Sequence, residues 1–320
     1  MKKLEDVKKI AIIGGGAMGH GCSMVFAGAG YPVGLYSRRA ETLEKAVVGM
    51  RNDLTFLAER GLGKLEDVEP TVARVTTTQN MEEAVEGADF VLECVAEDMA
   101  LKQDTFQKLD QICDPGVVLA TNTSVMSPTE IASTSGHRER ILGTHWWNPP
   151  FLIPLVEVVQ TEETPQWVID LTMDLHRAIG KRPVHAKKDV PGFIANRLQH
   201  ALWREAISIV ERGIADPATV DESLKYGPGL RLPVMAPLEN ADMVGLDLTL
   251  SIHSYVLKHL EDSHEPSPLL KEKVEKGELG FKSGGVGFQT WTPESQKALR
   301  ANMLSYLCEA VRKMKEAEAE

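Results

Sequence analysis

A run of four aliphatic residues, Ile10-Ala11-Ile12-Ile13, leads straight into Gly14-Gly15-Gly16-Ala17-Met18-Gly19, and few segments narrow a chain's possible folds so far. The run reads as a buried strand, and residues 20–29 read as a helix. Strand, glycine turn and helix in that order make a dinucleotide-binding unit. Gly14 permits the tight turn, Gly16 lets backbone approach a pyrophosphate, and Gly19 allows the helix to pack closely on the strand. Amide groups at the helix start, around Ala17 and Met18, offer donors to the anion.

Short β-branched runs recur at residues 33–36, 73–77, 90–94, 117–121 and 141–143, with amphipathic stretches between them. That alternation predicts a parallel sheet with crossover helices. Residues 154–159 and 182–186 predict two more strands around a helix over 166–179. After Asp189-Val190-Pro191-Gly192 helical periodicity takes over, with little strand-like alternation. The expectation is an α/β chain: a Rossmann-type doubly wound sheet over residues 1–189, then a smaller all-helical domain over 190–320 for substrate binding and dimerisation. Residues 313–320 read as a solvated helix end.

The net charge of −11 argues against a polyanionic partner, so no nucleic acid is expected. No apolar segment approaches the ~20 residues of a spanning helix, so no membrane insertion is expected. Cys22, Cys94, Cys113 and Cys308 lie far apart in sequence, suggesting neither a disulfide framework nor a zinc ribbon. No metal site is expected, and a reducing, cytoplasmic setting fits these thiols. The first nine residues are too charged for a signal peptide.

At the end of the second strand, where an acidic residue commonly binds the ribose 2′-hydroxyl, this chain reads Tyr36-Ser37-Arg38-Arg39. Ser37 and a guanidinium at Arg38 or Arg39 suit a 2′-phosphate, which favours NADP(H) over NAD(H). The alternative is that both arginines are solvated at a helix start.

Four segments carry candidate chemistry: Thr121-Asn122-Thr123-Ser124, Thr144-His145-Trp146-Trp147-Asn148-Pro149-Pro150, Leu155-Val156-Glu157-Val158-Val159 and Gly192-Phe193-Ile194-Ala195-Asn196-Arg197. Oxidising an alcohol needs a base poised near neutral pH, which suits histidine, and a carboxylate on the other ring nitrogen fixes its tautomer. Together these segments resemble the L-3-hydroxyacyl-CoA dehydrogenase family, and the likeness runs on to Leu269-Leu270-Lys271 and Gly280-Phe281-Lys282-Ser283-Gly284. The resemblance implies His145 as general base, Glu157 as its orienting carboxylate, and Ser124 and Asn196 as ligands of the reacting oxygen. It also implies cofactor-side roles for Glu97, Lys102, Asn122 and Asn148, and a homodimer.

Where the acyl-CoA branch carries lysines, this chain reads Asn52-Asp53-Leu54-Thr55-Phe56-Leu57-Ala58-Glu59-Arg60, although Arg51, Arg60 and Lys64 could compensate. Residues 148–157 and Gly227-Pro228-Gly229-Leu230-Arg231 look more like the non-CoA relatives, which include gulonate, carnitine and pyridine-carboxylate alcohol dehydrogenases. The expectation therefore leans to a small hydroxy acid with a free carboxylate. The alternatives are a short-chain 3-hydroxyacyl-CoA thioester and a non-catalytic, redox-sensing dinucleotide binder. Arg231 is a candidate carboxylate clamp, with a surface ion pair as the alternative. His200, which shares a helix face with Asn196 and Arg204, and Trp146 are further substrate-side candidates.

Overall fold

The computed structural model describes residues 2–319. Its eight strands form one sheet in the order β3-β2-β1-β4-β5-β6-β7-β8. They are β1 (Ile10–Ile13), β2 (Val33–Tyr36), β3 (Val75–Thr78), β4 (Phe90–Glu93), β5 (Val118–Thr121), β6 (Ile141–Trp146), β7 (Leu155–Val159) and β8 (Arg182–Ala186). All neighbours run parallel except β6 and β7, which are antiparallel. Strand order reverses on either side of β1, so a crevice opens at its carboxyl end, where open α/β sheets bind ligands.

The main helices of this part are α1 (Ala17–Gly28), α2 (Ala40–Ala58), α3 (Met99–Ile112) and α4 (Gln166–Ala178). Strand alternation divides the core between the two faces of the sheet. Ile10, Ile12, Phe90, Leu92, Leu142 and Trp146 pack on one face, and Ala11, Ile13, Val91, Leu119 and Ile141 on the other. Strands covered on both faces read as continuous apolar runs, which is why β1, β4 and β5 were visible in the sequence.

The chain separates into two compact units. The first holds the sheet, up to Arg197, together with the segment from Leu304 onward, and the second runs from Leu198 to Met303. The second unit is built mainly of helices. Two long helices belong partly to each unit: α5 (Ala195–Glu211) and α6 (Pro293–Ala319). The end of the chain is solvated, residues 312–317 being exposed, and Met314 and Lys315 also border a cavity of about 470 Å³ in the first unit, with Leu54, Leu57 and Phe151. Among the described residues no helix is long and apolar enough to cross a membrane.

His176, on α4, is fully buried among Phe26, Phe90 and Trp146, with Nδ1 2.7 Å from the Thr172 carbonyl. Burial, reinforced by the nearby Lys181 charge, pulls its pKa down to about 4. Between pH 6.5 and about 4 the unfolded chain binds a proton that the folded chain refuses. The stability this group contributes is therefore complete above pH 6.5 and is lost as pH falls toward 4, by about 3 kcal/mol. Calorimetry across that window should show His176→Leu losing about that much less than the parent protein.

Candidate active site

His145 lies inside β6, two residues beyond the point where the sequence suggested the strand would end. In the antiparallel register it stands directly opposite Glu157 of β7. Directly opposed side chains approach within about 5 Å at Cβ, so the ladder itself sets the pair's geometry. His145 Nδ1 is 2.7 Å from Glu157 Oε2, and the two residues are 4% and 0% exposed. With Nδ1–H donated to the carboxylate, Nε2 is left as the nitrogen that can exchange a proton.

The other oxygen of Glu157 accepts from two successive backbone amides, Ile194 and Ala195, each at 2.9 Å. Those amides converge because the turn ahead of α5 passes through positive φ at Gly192 (76°) and Phe193 (48°). Burial works to raise the Glu157 pKa, but the bonds from His145, Ala195 and Ile194 outweigh it and hold the carboxyl below its usual value. The carboxylate is thus kept charged beside the imidazole.

The first turn of α5 carries Asn196, whose Nδ2 donates to the Ser124 carbonyl at 2.9 Å. Ser124 follows β5, and its amide donates to Glu97 Oε1 at 2.9 Å, a carboxylate oxygen that also accepts from the Thr123 hydroxyl. Burial pushes Glu97 upward, yet the Thr123 bond and the Lys102 charge hold it below its usual range. Lys102, on α3, is 1% exposed, with its Nζ 2.9 and 3.0 Å from the two oxygens of Glu93 and 3.4 Å from Glu97. The segments bearing Ser124, His145, Glu157 and Asn196 are therefore tied together within the first unit.

Glu93 escaped the sequence reading. It ends β4, is 0% exposed, and also accepts from the Thr121 hydroxyl and the Val95 amide. Burial raises its pKa despite the adjacent Lys102. A lone carboxylate closing the apolar run Phe90-Val91-Leu92 was the available signal, since such a group needs a buried partner.

The glycine loop fits a dinucleotide. A Cβ on Gly19 would lie 1.6 Å from the Gly14 carbonyl oxygen, and one on Gly14 would lie 2.5 Å from the Cys94 carbonyl oxygen. Both positions thus hold helix, loop and sheet in close contact. A Cβ on Gly16 would meet nothing within 4 Å, which is the open approach a pyrophosphate needs. The amides of Ala17 and Met18 open α1 there, with no side chain capping them. Ser37 is half-buried, and Arg38 is exposed, its backbone carbonyl accepting from Gln79.

Asn122 accepts from the Trp146 amide at 2.8 Å and donates to Cys94 Sγ at 3.7 Å, which fixes it at the end of β5 between β6 and the segment after β4. Asn148 is exposed in the loop joining β6 to β7. Trp146, expected on the substrate side, is turned away: strand alternation puts it on the sheet face opposite His145, 2% exposed against Phe26 and His176. Its neighbour Trp147 takes the place beside the imidazole, with ring centroids 5.3 Å apart. His200 and Arg231 belong to the second unit, where His200 stacks edge to face with Trp203 and Arg231 is exposed.

Comparison with known proteins finds two matching domain families and several relatives. The domain family described as "3-hydroxyacyl-CoA dehydrogenase, NAD binding domain" matches residues 9–190, and its C-terminal domain matches residues 192–291. The chain is 36% identical over 312 residues to a 5-formyl-3-hydroxy-2-methylpyridine 4-carboxylate 5-dehydrogenase of Mesorhizobium japonicum, covering 97% of this chain and 99% of that protein. It is 34% identical to a 3-hydroxybutyryl-CoA dehydrogenase of Clostridioides difficile, covering 88% of this chain and 98% of that protein. A crystal structure of a dehydrogenase acting on the same formylpyridine acid, described as an NAD+ dependent dismutase, superposes with a TM-score of 0.89 at 36% identity, over 97% of this chain and 99% of that one.

Proposed function

The chain belongs to the 3-hydroxyacyl-CoA dehydrogenase family of NAD-binding oxidoreductases, and on that premise we propose that it interconverts a small hydroxy acid bearing a free carboxylate with its keto form. The observation that carries the reading is the buried His145–Glu157 pair, 2.7 Å apart and fixed by strand register. In oxidation His145 Nε2 removes the hydroxyl proton, and the Glu157 charge stabilises the imidazolium that results. Ser124 and Asn196 donate to the oxygen as negative charge develops on it. In the reverse direction the imidazolium returns the proton. The dinucleotide, held by Gly14, Gly16, Ala17, Met18 and Gly19, supplies a hydride acceptor or donor. Glu97, with Lys102 behind it, holds the Ser124 loop in register with that site.

Preference for a free acid over a CoA thioester rests on the basic groups around α2. Arg51 pairs with Glu69 at 2.8 Å, Lys64 with Glu66 at 3.4 Å, and Arg60 lies 3.9 Å from Glu59. Each of these three cations already faces a carboxylate. For the cofactor, exposed Arg38 beside Ser37 favours NADP(H), whereas the relative of known structure is described as NAD+ dependent.

A panel of free 3-hydroxy acids and their CoA thioesters, each assayed with NAD+ and NADP+, tests the reading. Turnover of free acids, with at least about tenfold better kcat/KM for NADP+ that Arg38→Ala abolishes, is the expected result. Activity confined to 3-hydroxybutyryl-CoA overturns the free-acid assignment, and dinucleotide binding without any turnover overturns the enzymatic one.

The assembly we propose is a homodimer paired through the second unit, where Leu230, Val234, Leu238 and Leu250 are each at least two-thirds exposed. A sedimentation equilibrium mass equal to one chain would refute it.

A further inference from the structure

Trp147 follows β6 two positions after His145, so it falls on the same side of the strand. Its indole ring is 5.3 Å from the imidazole at an interplanar angle of 54°, and Phe193 lies 5.8 Å from the imidazole at the same angle. The indole also reaches the base's partner: Nε1 is 3.4 Å from Glu157 Oε2, the same oxygen that His145 engages at 2.7 Å. Trp147 is half-buried, unlike Trp146, so part of its surface stays open.

Two aromatic rings flank the imidazole, and one is fixed to the carboxylate that fixes the base. From this arrangement we infer that Trp147 determines specificity, walling the substrate site with a flat π surface that favours an aromatic or conjugated group beside the reacting carbon over a flexible aliphatic chain. Its N–H on Glu157 holds wall and base in one geometry, so a substrate stacked on the indole presents its hydroxyl to Nε2. This rests on the dehydrogenase reading above. Among the described residues the only charged group bonded to the imidazole is Glu157, and the two flanking rings are uncharged.

The test compares two hydroxy acids of equal carbon number, 3-hydroxy-3-phenylpropanoate and 3-hydroxynonanoate, in the parent, Trp147→Phe and Trp147→Leu enzymes. The parent should prefer the phenyl substrate. Trp147→Leu should reduce that preference about tenfold, through KM of the phenyl substrate. Trp147→Phe should keep the preference, while loss of the N–H lowers kcat a few-fold on both substrates. A preference ratio that Trp147→Leu leaves within about twofold of the parent's overturns the inference.

A binding readout separates this failure from failure of the enzymatic reading. Phenylacetate, which carries no hydroxyl to oxidise, should change the tryptophan emission of the parent protein and not that of Trp147→Phe. Equal responses in the two proteins would likewise overturn the inference, whether or not either turns over a hydroxy acid.

Discussion

His145→Gln should lower kcat about 10²–10⁴-fold while leaving dinucleotide affinity within about twofold. The side chain can still fill the space and reach Glu157, but it has no nitrogen able to accept a proton near neutral pH. Because His145 bonds no residue of the glycine loop, the binding of the dinucleotide should not register the change. Stopped-flow reduction of the dinucleotide against fluorescence titration reads the two quantities separately. Glu157→Gln is the companion, since an amide preserves the shape and removes the charge that favours the imidazolium. If His145→Gln kept more than about a tenth of the parent rate, the assignment of the base would fail.

Gly19→Ala carries the second large effect. A methyl group 1.6 Å from the Gly14 carbonyl oxygen cannot be accommodated by turning a flexible side chain, because the atom it meets is backbone. Helix α1 must then move off β1, disturbing a face that buries Cys22, Met24, Phe26 and Ala27. A cost of about 3 kcal/mol would lower Tm by roughly 6–12 °C, and dinucleotide binding should be lost with it. Gly16→Ala separates the two consequences. Its methyl would enter open space, so Tm should stay near the parent value while dinucleotide affinity falls, because the methyl stands where the pyrophosphate must approach. Normal affinity in Gly16→Ala would place the anion elsewhere.

The first sheet strands and the glycine loop were legible because their signals are local: apolar runs for strands covered on both faces, and a turn whose glycines have separate steric duties. The dyad was legible by residue type but not by position. The sequence suggested that His145 lay past the end of a strand, whereas β6 continues through it, since an antiparallel partner extends the ladder. That pairing, between residues on two strands joined by a loop, leaves no periodic trace. The same extension explains Trp146: once residue 145 is inside a strand, residue 146 must face the other way. Cys22 and Cys94, remote in sequence, prove to be neighbours, and the nearness of Cys22 together with burial holds the Cys94 thiol well above its usual pKa. Nor could periodicity tell that the chain beyond Leu304 returns to the sheet unit.

Lys181 bears on how the loop between β6 and β7 is controlled. The residue is 7% exposed, and its ammonium donates to the carbonyls of Pro150 and Ile153 and lies 4.8 Å from the centroid of the Trp146 ring. Burial brings its pKa down to about 8. A tether that gives up its proton just above neutrality loses much of its grip on those carbonyls in mildly alkaline buffer, and the segment it restrains is the one that carries Asn148. In the oxidation direction, where the neutral imidazole is the active form, an alkaline decline in turnover would therefore report the anchorage of a loop rather than the loss of the base.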